Sequence, residues 1–408
     1  MFIKRNHHNL AIHNVRVFYF ITLFGTINLL DPVITLFYFH RGLSASDILI
    51  ILFMYCAATL VSEIPTGAFA DRFGPKASFL TGSLISIFST SLLLVADNLW
   101  WFSIQGLLWG LSTSFFSGSD DALIYESLKE SGQEKTMSQV MAKISSVMFS
   151  VTIFTSLIGA YLVRDLAESQ FQFLILIGIL FKIIEFLLIF SLINPKSFDQ
   201  FRDNPYTHVK NGWQIIRRSP DLIKVFLNFT IVLIPSVVIF GKFEQPYVTG
   251  AGLPVAWLGV LYASAALLSM LITRHLAWLL LRFKRTTLIQ LSGVVTLLAV
   301  TSASFLFDSL WIALVLFFVL RMLRSIRQPL YSGIINEHIP SGSRATTLSL
   351  LNLVDSAFDL IILGTMSFVA TLGLPAIFIG CALIIGVGLL FPVREAKNVQ
   401  EQEGRHIV

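Results

Sequence analysis

Twelve apolar runs, each long enough to cross a bilayer, set the terms for this chain. They lie near 16–39, 48–70, 78–96, 99–119, 144–163 and 170–193, then near 222–246, 254–281, 286–307, 309–331, 346–370 and 373–392. One helical crossing takes about 20 apolar residues, so twelve account for more than half of the 408 residues and leave the rest for loops and tails. Inside lipid every backbone N–H and C=O needs an internal partner, which leaves only helices or a closed barrel. The runs lack the polar–apolar alternation of barrel strands. The predicted fold is therefore an all-α membrane protein with twelve transmembrane helices in two six-helix bundles. Charge content agrees: 13% of residues are charged and 55% apolar, where a soluble domain carries roughly 25% charged residues. That balance excludes a soluble enzyme, a disordered chain and a nucleic-acid binder.

One long polar stretch, from Asn194 to Pro220, separates the two sets of runs and is punctuated by Pro195, Pro205 and Pro220. Expected boundaries are 1–194 for the first bundle, 195–219 for a cytoplasmic linker, 220–393 for the second bundle and 394–408 for a cytoplasmic tail. Within the linker, Trp213, Ile215 and Ile216 beside Lys210, Arg217 and Arg218 suggest a short basic amphipathic helix on the membrane surface. With the N-terminus inside, twenty Lys and Arg residues fall in cytoplasmic segments and only Arg41 and Arg164 in the opposite loops. This positive-inside bias places both termini in the cytoplasm of a cell that carries the protein in its inner or plasma membrane. The basic start, without a cleavage site, reads as a tail before an uncleaved first helix. Cys56 and Cys381 lie inside apolar runs and read as small core residues, not a disulfide.

The halves echo one another. Gly42-Leu43 returns as Gly252-Leu253 and Arg72-Phe73 as Arg282-Phe283, each 210 positions on. Thr136-Met137-Ser138 returns as Thr347-Leu348-Ser349, Glu126 as Glu337 and Ser145 as Ser356, 211 positions on. A shared offset of half the chain points to a parallel duplication and two pseudo-symmetric bundles, a known transporter architecture.

The second and third runs are joined by Gly67-Ala-Phe-Ala-Asp71-Arg72-Phe-Gly74-Pro-Lys76. Gly67 would permit close helix approach and Gly74 a sharp reversal. Asp71 could face a helix N-terminus, and Arg72 could reach a carboxylate across the mouth of the bundle. This run resembles the loop-2/3 signature of the major facilitator superfamily, at that family's position. Glu63-Ile-Pro65-Thr66-Gly67 and Ser117-Gly-Ser-Asp120-Asp121-Ala-Leu-Ile-Tyr125-Glu126 resemble a bacterial subgroup similar to drug exporters. The resemblance implies the major facilitator fold and an inner gate: Asp71 capping the eleventh helix, Arg72 pairing with Asp120, Asp121 or Glu126, and Lys76 adding charge. Position 75 is Pro where the family prefers a base. Two exporter features are absent: Phe102-Ser-Ile-Gln105-Gly106 lacks the helix-four Arg, and Thr155-Ser-Leu-Ile-Gly159-Ala lacks the helix-five Gly-Pro pair.

Charges inside spans are costly unless paired or wetted, and therefore informative. Asp31 beside Pro32 stands past the middle of the first run, where a break could open toward a cavity. Glu63 lies in the second run. Arg321, Arg324 and Arg327 step by three along the tenth, and Asp355 and Asp359 stand one turn apart on one face of the eleventh. In the resembled fold helices one, four, seven and ten line the cavity, flanked by two, five, eight and eleven. Asp31, Glu63, Arg321, Arg324, Asp355 and Asp359 are thus the candidate substrate and proton sites; mutual neutralisation, as structural pairs, is the competing reading. Lys182 and Glu185 read as a local pair. Lys242 and Glu244 read equally as an outer gate or as headgroup contacts.

No catalytic, metal or nucleotide-binding motif is present, and the chain is expected to use no cofactor. The reading is a secondary transporter, expected to be a monomer among membrane lipids, that moves a small organic solute by alternating access. Efflux driven by protons or another coupling ion is the leading form. The alternatives are uptake or uniport of an anionic metabolite or metal chelate gripped by Arg321 and Arg324, and a transporter-like receptor or lipid flippase.

Overall fold

The computed structural model describes residues 8–195, 216–217, 219–306, 309–339 and 344–395. Most of the linker, with its expected surface helix, and most of the C-terminal tail lie outside them. The described residues are helical throughout their ordered elements, without strands.

The helices are α1 (His8–Gly25), α2 (Ile34–His40), α3 (Ala45–Phe73), α4 (Pro75–Val95), α5 (Leu99–Phe116), α6 (Ser119–Glu130), α7 (Met137–Leu162) and α8 (Glu168–Ile189). They continue as α9 (Pro220–Leu233), α10 (Phe240–Gly250), α11 (Leu258–Arg282), α12 (Arg285–Phe305), α13 (Leu310–Glu337), α14 (Arg344–Ala370) and α15 (Leu374–Leu389). α1 with α2 makes one pass, α5 with α6 another, and α9 with α10 a third, so the described helices supply twelve passes. Eight stretches are long and apolar enough to cross a membrane by length and composition alone. The passes that fall short do so for visible reasons. α1 and α15 are short, α5 carries Gln105 among serines and glycines, and α13 carries three arginines.

These residues form two compact units, one drawn from Met1–Asp203 and Pro254–Ala263, the other from Asn204–Leu253 and Ser264–Val408. In the first unit α3, α4 and α5 pack most closely. A Cβ on Gly106 would come within 2.8 Å of the Ile51 carbonyl oxygen, and one on Gly110 within 2.3 Å of that of Tyr55. Small residues one turn apart let these backbones approach, the usual way helices associate in lipid. Neutral hydrogen bonds fasten the same faces: Ser62 Oγ to Ser114 Oγ at 2.9 Å, Thr66 Oγ1 to the Ser114 carbonyl at 3.1 Å, and Ser112 Oγ to the Gly82 carbonyl at 2.8 Å. In the second unit, Leu222, Val225, Phe226, Leu330, Ile334, Ile335 and Leu351 form a buried cluster joining α9, α13 and α14.

The first pass is broken earlier than its sequence suggests. α1 ends at Gly25, and the chain resumes as a single 3-10 turn at Asp31–Val33 before α2. Pro32 opens that turn, where its missing N–H costs nothing. Pro235 starts a π-helical segment, Ile234–Ile239, between α9 and α10, so the first pass of each unit is irregular at a proline.

The Gly-Leu echo has a structural counterpart. Gly42 and Gly252 both adopt positive φ, +79° and +105°. Leu43 N–H donates to the Tyr38 carbonyl at 3.1 Å and Leu253 N–H to that of Val248 at 3.0 Å. Each is the 6→1 bond of a Schellman cap, with glycine in the left-handed position it requires.

Candidate functional site

The second unit buries Glu244 and Arg327 and partly buries Arg321, Asp355 and Asp359. α10 follows the π segment and carries Glu244 into the unit, only 3% exposed, where it accepts a hydrogen bond from the Arg321 guanidinium at the middle of α13. Placement among headgroups is therefore corrected for Glu244. The extra residue of a π turn rotates the helix that follows it, which moves a residue near the end of an apolar run onto a buried face. Arg324, one turn along α13, is exposed and forms no ion pair among the described residues. Glu244, Arg321, Arg324, Ser236 and Gly241 border a gap of about 30 Å³, room for a water molecule.

Arg327 is buried, and its guanidinium is satisfied by neutral groups. Nη1 donates to the Ile289 carbonyl at 2.9 Å and to Ser292 Oγ at 3.3 Å, and Nη2 to the Tyr331 hydroxyl at 2.7 Å. Tyr331 donates in turn to Asn228 Oδ1, and Asn228 Nδ2 donates to the carbonyls of Gly388 and Phe391 at 3.0 and 2.8 Å. Gly293 makes room, since a Cβ there would stand 2.7 Å from Arg327 Nη1. This network ties α9, α12, α13 and α15 together.

Asp355 on α14 accepts a hydrogen bond from Thr230 Oγ1 of α9. Asp359, one turn on, has its Oδ1 buried without a hydrogen-bond partner. The competing reading, neutralisation of Asp355 and Asp359 by Arg324 and Arg327, is not found among the described residues: each group has the surroundings just given. Asn228, Thr230 and Tyr331 escaped the sequence reading. The signal was available for the first, a lone amide in an apolar run.

In the first unit Asp31 is exposed at the start of the 3-10 turn. Glu63 is half-buried on α3, one turn before Thr66. The break before Asp31 is gripped from α8, where Lys182 Nζ donates to the Gly25 carbonyl at 2.9 Å and pairs with Glu185 Oε2 at 3.2 Å. The local pair thus also caps the free end of α1. On the opposite side, a Cβ on Gly159 of α7 would come within 2.0 Å of the Leu29 carbonyl oxygen.

The Asp71–Lys76 turn is built as Gly74 predicts. Its φ is +82°, and a Cβ there would meet Asn194 Nδ2 at 2.6 Å. Asn194 Oδ1 accepts from the Lys76 backbone N–H at 3.1 Å, and Lys76 Nζ donates to the Phe190 carbonyl. Glycine and lysine therefore fasten the turn to the end of α8. At Gly67 the expected close approach is absent, because a Cβ there meets nothing within 4 Å among the described residues. Asp71 and Arg72 are exposed, and the Arg72 guanidinium lies 5.3 Å from the Phe73 ring centroid. No ion pair joins Arg72 to Asp120, Asp121 or Glu126 among the described residues. Asp120 and Asp121 instead occupy the first turn of α6, behind Gly118 at φ +72°, where the helix dipole favours them. Glu126 is buried, 3.8 Å from Lys129 Nζ, with Oε2 unpartnered.

Twelve helical passes, the first of each unit irregular at a proline, with charges along α13 and α14, define a polytopic membrane protein. The chain matches the Major Facilitator Superfamily model over residues 17–361, and it belongs to that family. It is 24% identical over 355 residues to an uncharacterized MFS-type transporter, YxaM, of Bacillus subtilis (strain 168), covering 82% of this chain and 83% of that one. An uncharacterized transporter of Buchnera aphidicola subsp. Schizaphis graminum is 30% identical over 164 residues, 40% of this chain and 38% of its own. The fold is similar to that of the nucleoside transporter NupG, with a TM-score of 0.73, 13% identity and coverage of 94% and 97%. It is also similar to a D-xylose-proton symporter, with a TM-score of 0.72, 11% identity and coverage of 96% and 98%.

Proposed function

We propose that this transporter couples movement of a small organic solute to protons by alternating access, with Asp359 and Asp355 as the proton site. The buried, unpartnered Oδ1 of Asp359 carries the reading. Burial favours a neutral carboxyl and wetting or a nearby cation favours the ion. A carboxylate whose surroundings alternate between those conditions therefore takes up and releases a proton with each cycle. The same-fold relative named as a proton symporter is consistent with this assignment. The Glu244–Arg321 pair and Arg324 are the solute contacts of the second unit in this reading, and Asp31 and Glu63 the candidate contacts of the first. The protein is placed in the inner or plasma membrane as a monomer with cytoplasmic termini. Asp71 and Arg72 form the inner gate in a state other than the one described, with Asp120, Asp121 or Glu126 opposite them.

Export is the direction proposed from the resemblance to drug-efflux-like transporters. One observation favours uptake of an anionic metabolite as a second reading: Arg324 leaves the cluster with one unmatched positive charge.

Proteoliposomes loaded with a pH-sensitive dye and exposed to nucleosides, pentoses, dipeptides and short organic acids test the coupling. Solute-dependent proton flux should appear with the parent chain and vanish in Asp359→Asn. Undiminished proton flux in that variant would remove Asp359 from the mechanism. Loss of flux for acids alone in Arg324→Ala would favour the second reading.

A further inference from the structure

The C-terminal half of α11 carries a charged face that takes no part in the buried networks of the second unit. Leu276 and Leu280 pack against that unit's buried cluster. At 3.6 residues per turn, Arg274, Trp278 and Leu281 fall on the opposite side of the helix. All three are exposed there, Leu281 by 85%. Leu267, Met270 and Leu271 continue the same stripe toward the N-terminal end of α11 and are exposed as well. Arg282 closes the stripe at the last residue of the helix, its guanidinium 4.5 Å from the Trp278 ring centroid. Lys284 follows, also exposed.

No acidic residue lies between Leu258 and Arg285. Arg274, Arg282 and Lys284 form no ion pair among the described residues, while Glu337 and Glu395 are engaged by Arg285 at 2.5 and 3.3 Å. A guanidinium on an apolar helix face is costly unless a counter-ion reaches it. Tryptophan settles at the level of the headgroups, and a long basic side chain bends toward them from a position deeper in the span. Arg274 and Arg282 stand about 12 Å apart along the axis with Trp278 midway, so both guanidiniums can meet one phosphate beside the indole.

We propose that this face of α11 binds an anionic glycerophospholipid, its phosphate held between Arg274 and Arg282 beside Trp278 and its acyl chains along Leu267, Met270 and Leu271. Three cations without an acid favour a headgroup of net negative charge. A zwitterionic headgroup would bring an ammonium into the same like-charged patch.

Tryptophan quenching in nanodiscs tests this. The full chain is placed in phosphatidylcholine with a rising fraction of phosphatidylglycerol brominated on its acyl chains, and the Trp278 signal is the difference between the parent and Trp278→Phe. That signal should be quenched to saturation at a lower mole fraction of brominated phosphatidylglycerol than of brominated phosphatidylcholine. Arg274→Gln and Arg282→Gln should each weaken the preference about fivefold, and Arg274→Lys, which keeps the charge, should retain most of it. Lys135→Gln combined with Lys143→Gln removes two exposed charges from the first unit and should leave the preference intact. Phosphatidylglycerol retained through detergent extraction, counted by native mass spectrometry, gives a reading that does not depend on Trp278: the parent should keep a lipid that the double arginine variant loses. Melting temperatures establish that every variant folds. Equal quenching by the two lipids, a preference indifferent to both arginines, or one lost equally with Lys135 and Lys143 (surface charge alone) would overturn the proposal. Neither solute nor proton gradient is present, so failure here and failure of coupling at Asp359 are separately visible.

Discussion

Removal of the Arg321 charge should be among the most damaging single changes in the second unit, and removal of both partners together should hurt less. Glu244 is only 3% exposed, and Arg321 is its charge partner. Arg321→Met would strand a buried carboxylate, and breaking a buried pair from one side costs about 3–5 kcal/mol. Because the Arg321 side chain is 31% exposed, part of the pair's field is already screened, so the lower end, about 3 kcal/mol, is expected. Glu244→Gln leaves an arginine that still reaches solvent and should cost about 1.5–3 kcal/mol, the range for a hydrogen bond to a charged group. The double variant leaves no stranded charge and should lie no lower than Arg321→Met alone, a coupling energy of about 2 kcal/mol. Unfolding in mixed micelles, followed by tryptophan fluorescence, gives all three values. Additivity within about 0.5 kcal/mol would show that the two groups do not stabilise one another and would refute the pairing.

Other perturbations test other parts. Gly159→Ala forces a methyl against the Leu29 carbonyl and should destabilise the first unit by about 1–3 kcal/mol, the usual cost of overpacking, read by the same unfolding assay. Tyr331→Phe leaves Arg327 and Asn228 each short of a buried partner and should cost about 1–3 kcal/mol, whereas Ser332→Ala, exposed on the next residue, should cost under about 0.5 kcal/mol.

Much of the fold was legible because lipid leaves so few options. Twelve runs, the proline beside Asp31, the reversal at Gly74 and the Gly-Leu caps are all local matters, decided by hydropathy, a missing N–H or a positive φ. Partnerships were not local. Glu244 meets Arg321 from α10, beyond a π segment, and no residue pattern pairs these two groups. Arg327 looked like a neighbour for Asp355 or Asp359, yet its acceptors come from α12 and from Tyr331 on its own helix. Spacing along one helix identifies a face, but the helix opposite that face is set by packing between segments distant in sequence, 77 residues apart for Arg321 and Glu244. Gly67 shows the converse error, since a small residue in a family-like motif was assigned a close contact it does not make within the described residues.

The α3–α5 interface of the first unit and the charged helices of the second solve the cost of polar groups in lipid differently. In the first, α3, α4 and α5 are fastened by hydroxyls donating to carbonyls and by glycines against backbone. Such contacts carry no charge and depend on distances that a single added methyl disturbs. In the second, three arginines, Glu244 and two aspartates are held by specific partners or left without one. Rigid neutral interfaces suit a body that must move as one piece, because their contacts neither gain nor lose protons during the motion. Unequal satisfaction of charges suits the body that responds, because protonation or an arriving anion changes which arrangement is stable. Asp359 lacks a partner for Oδ1 while Asp355, one turn away, has Thr230; the difference gives the second unit a group whose energy depends on its surroundings. On this reasoning, substitutions in the α3–α5 interface should lower stability without altering the pH dependence of transport, and substitutions at Asp355 or Asp359 should do the reverse.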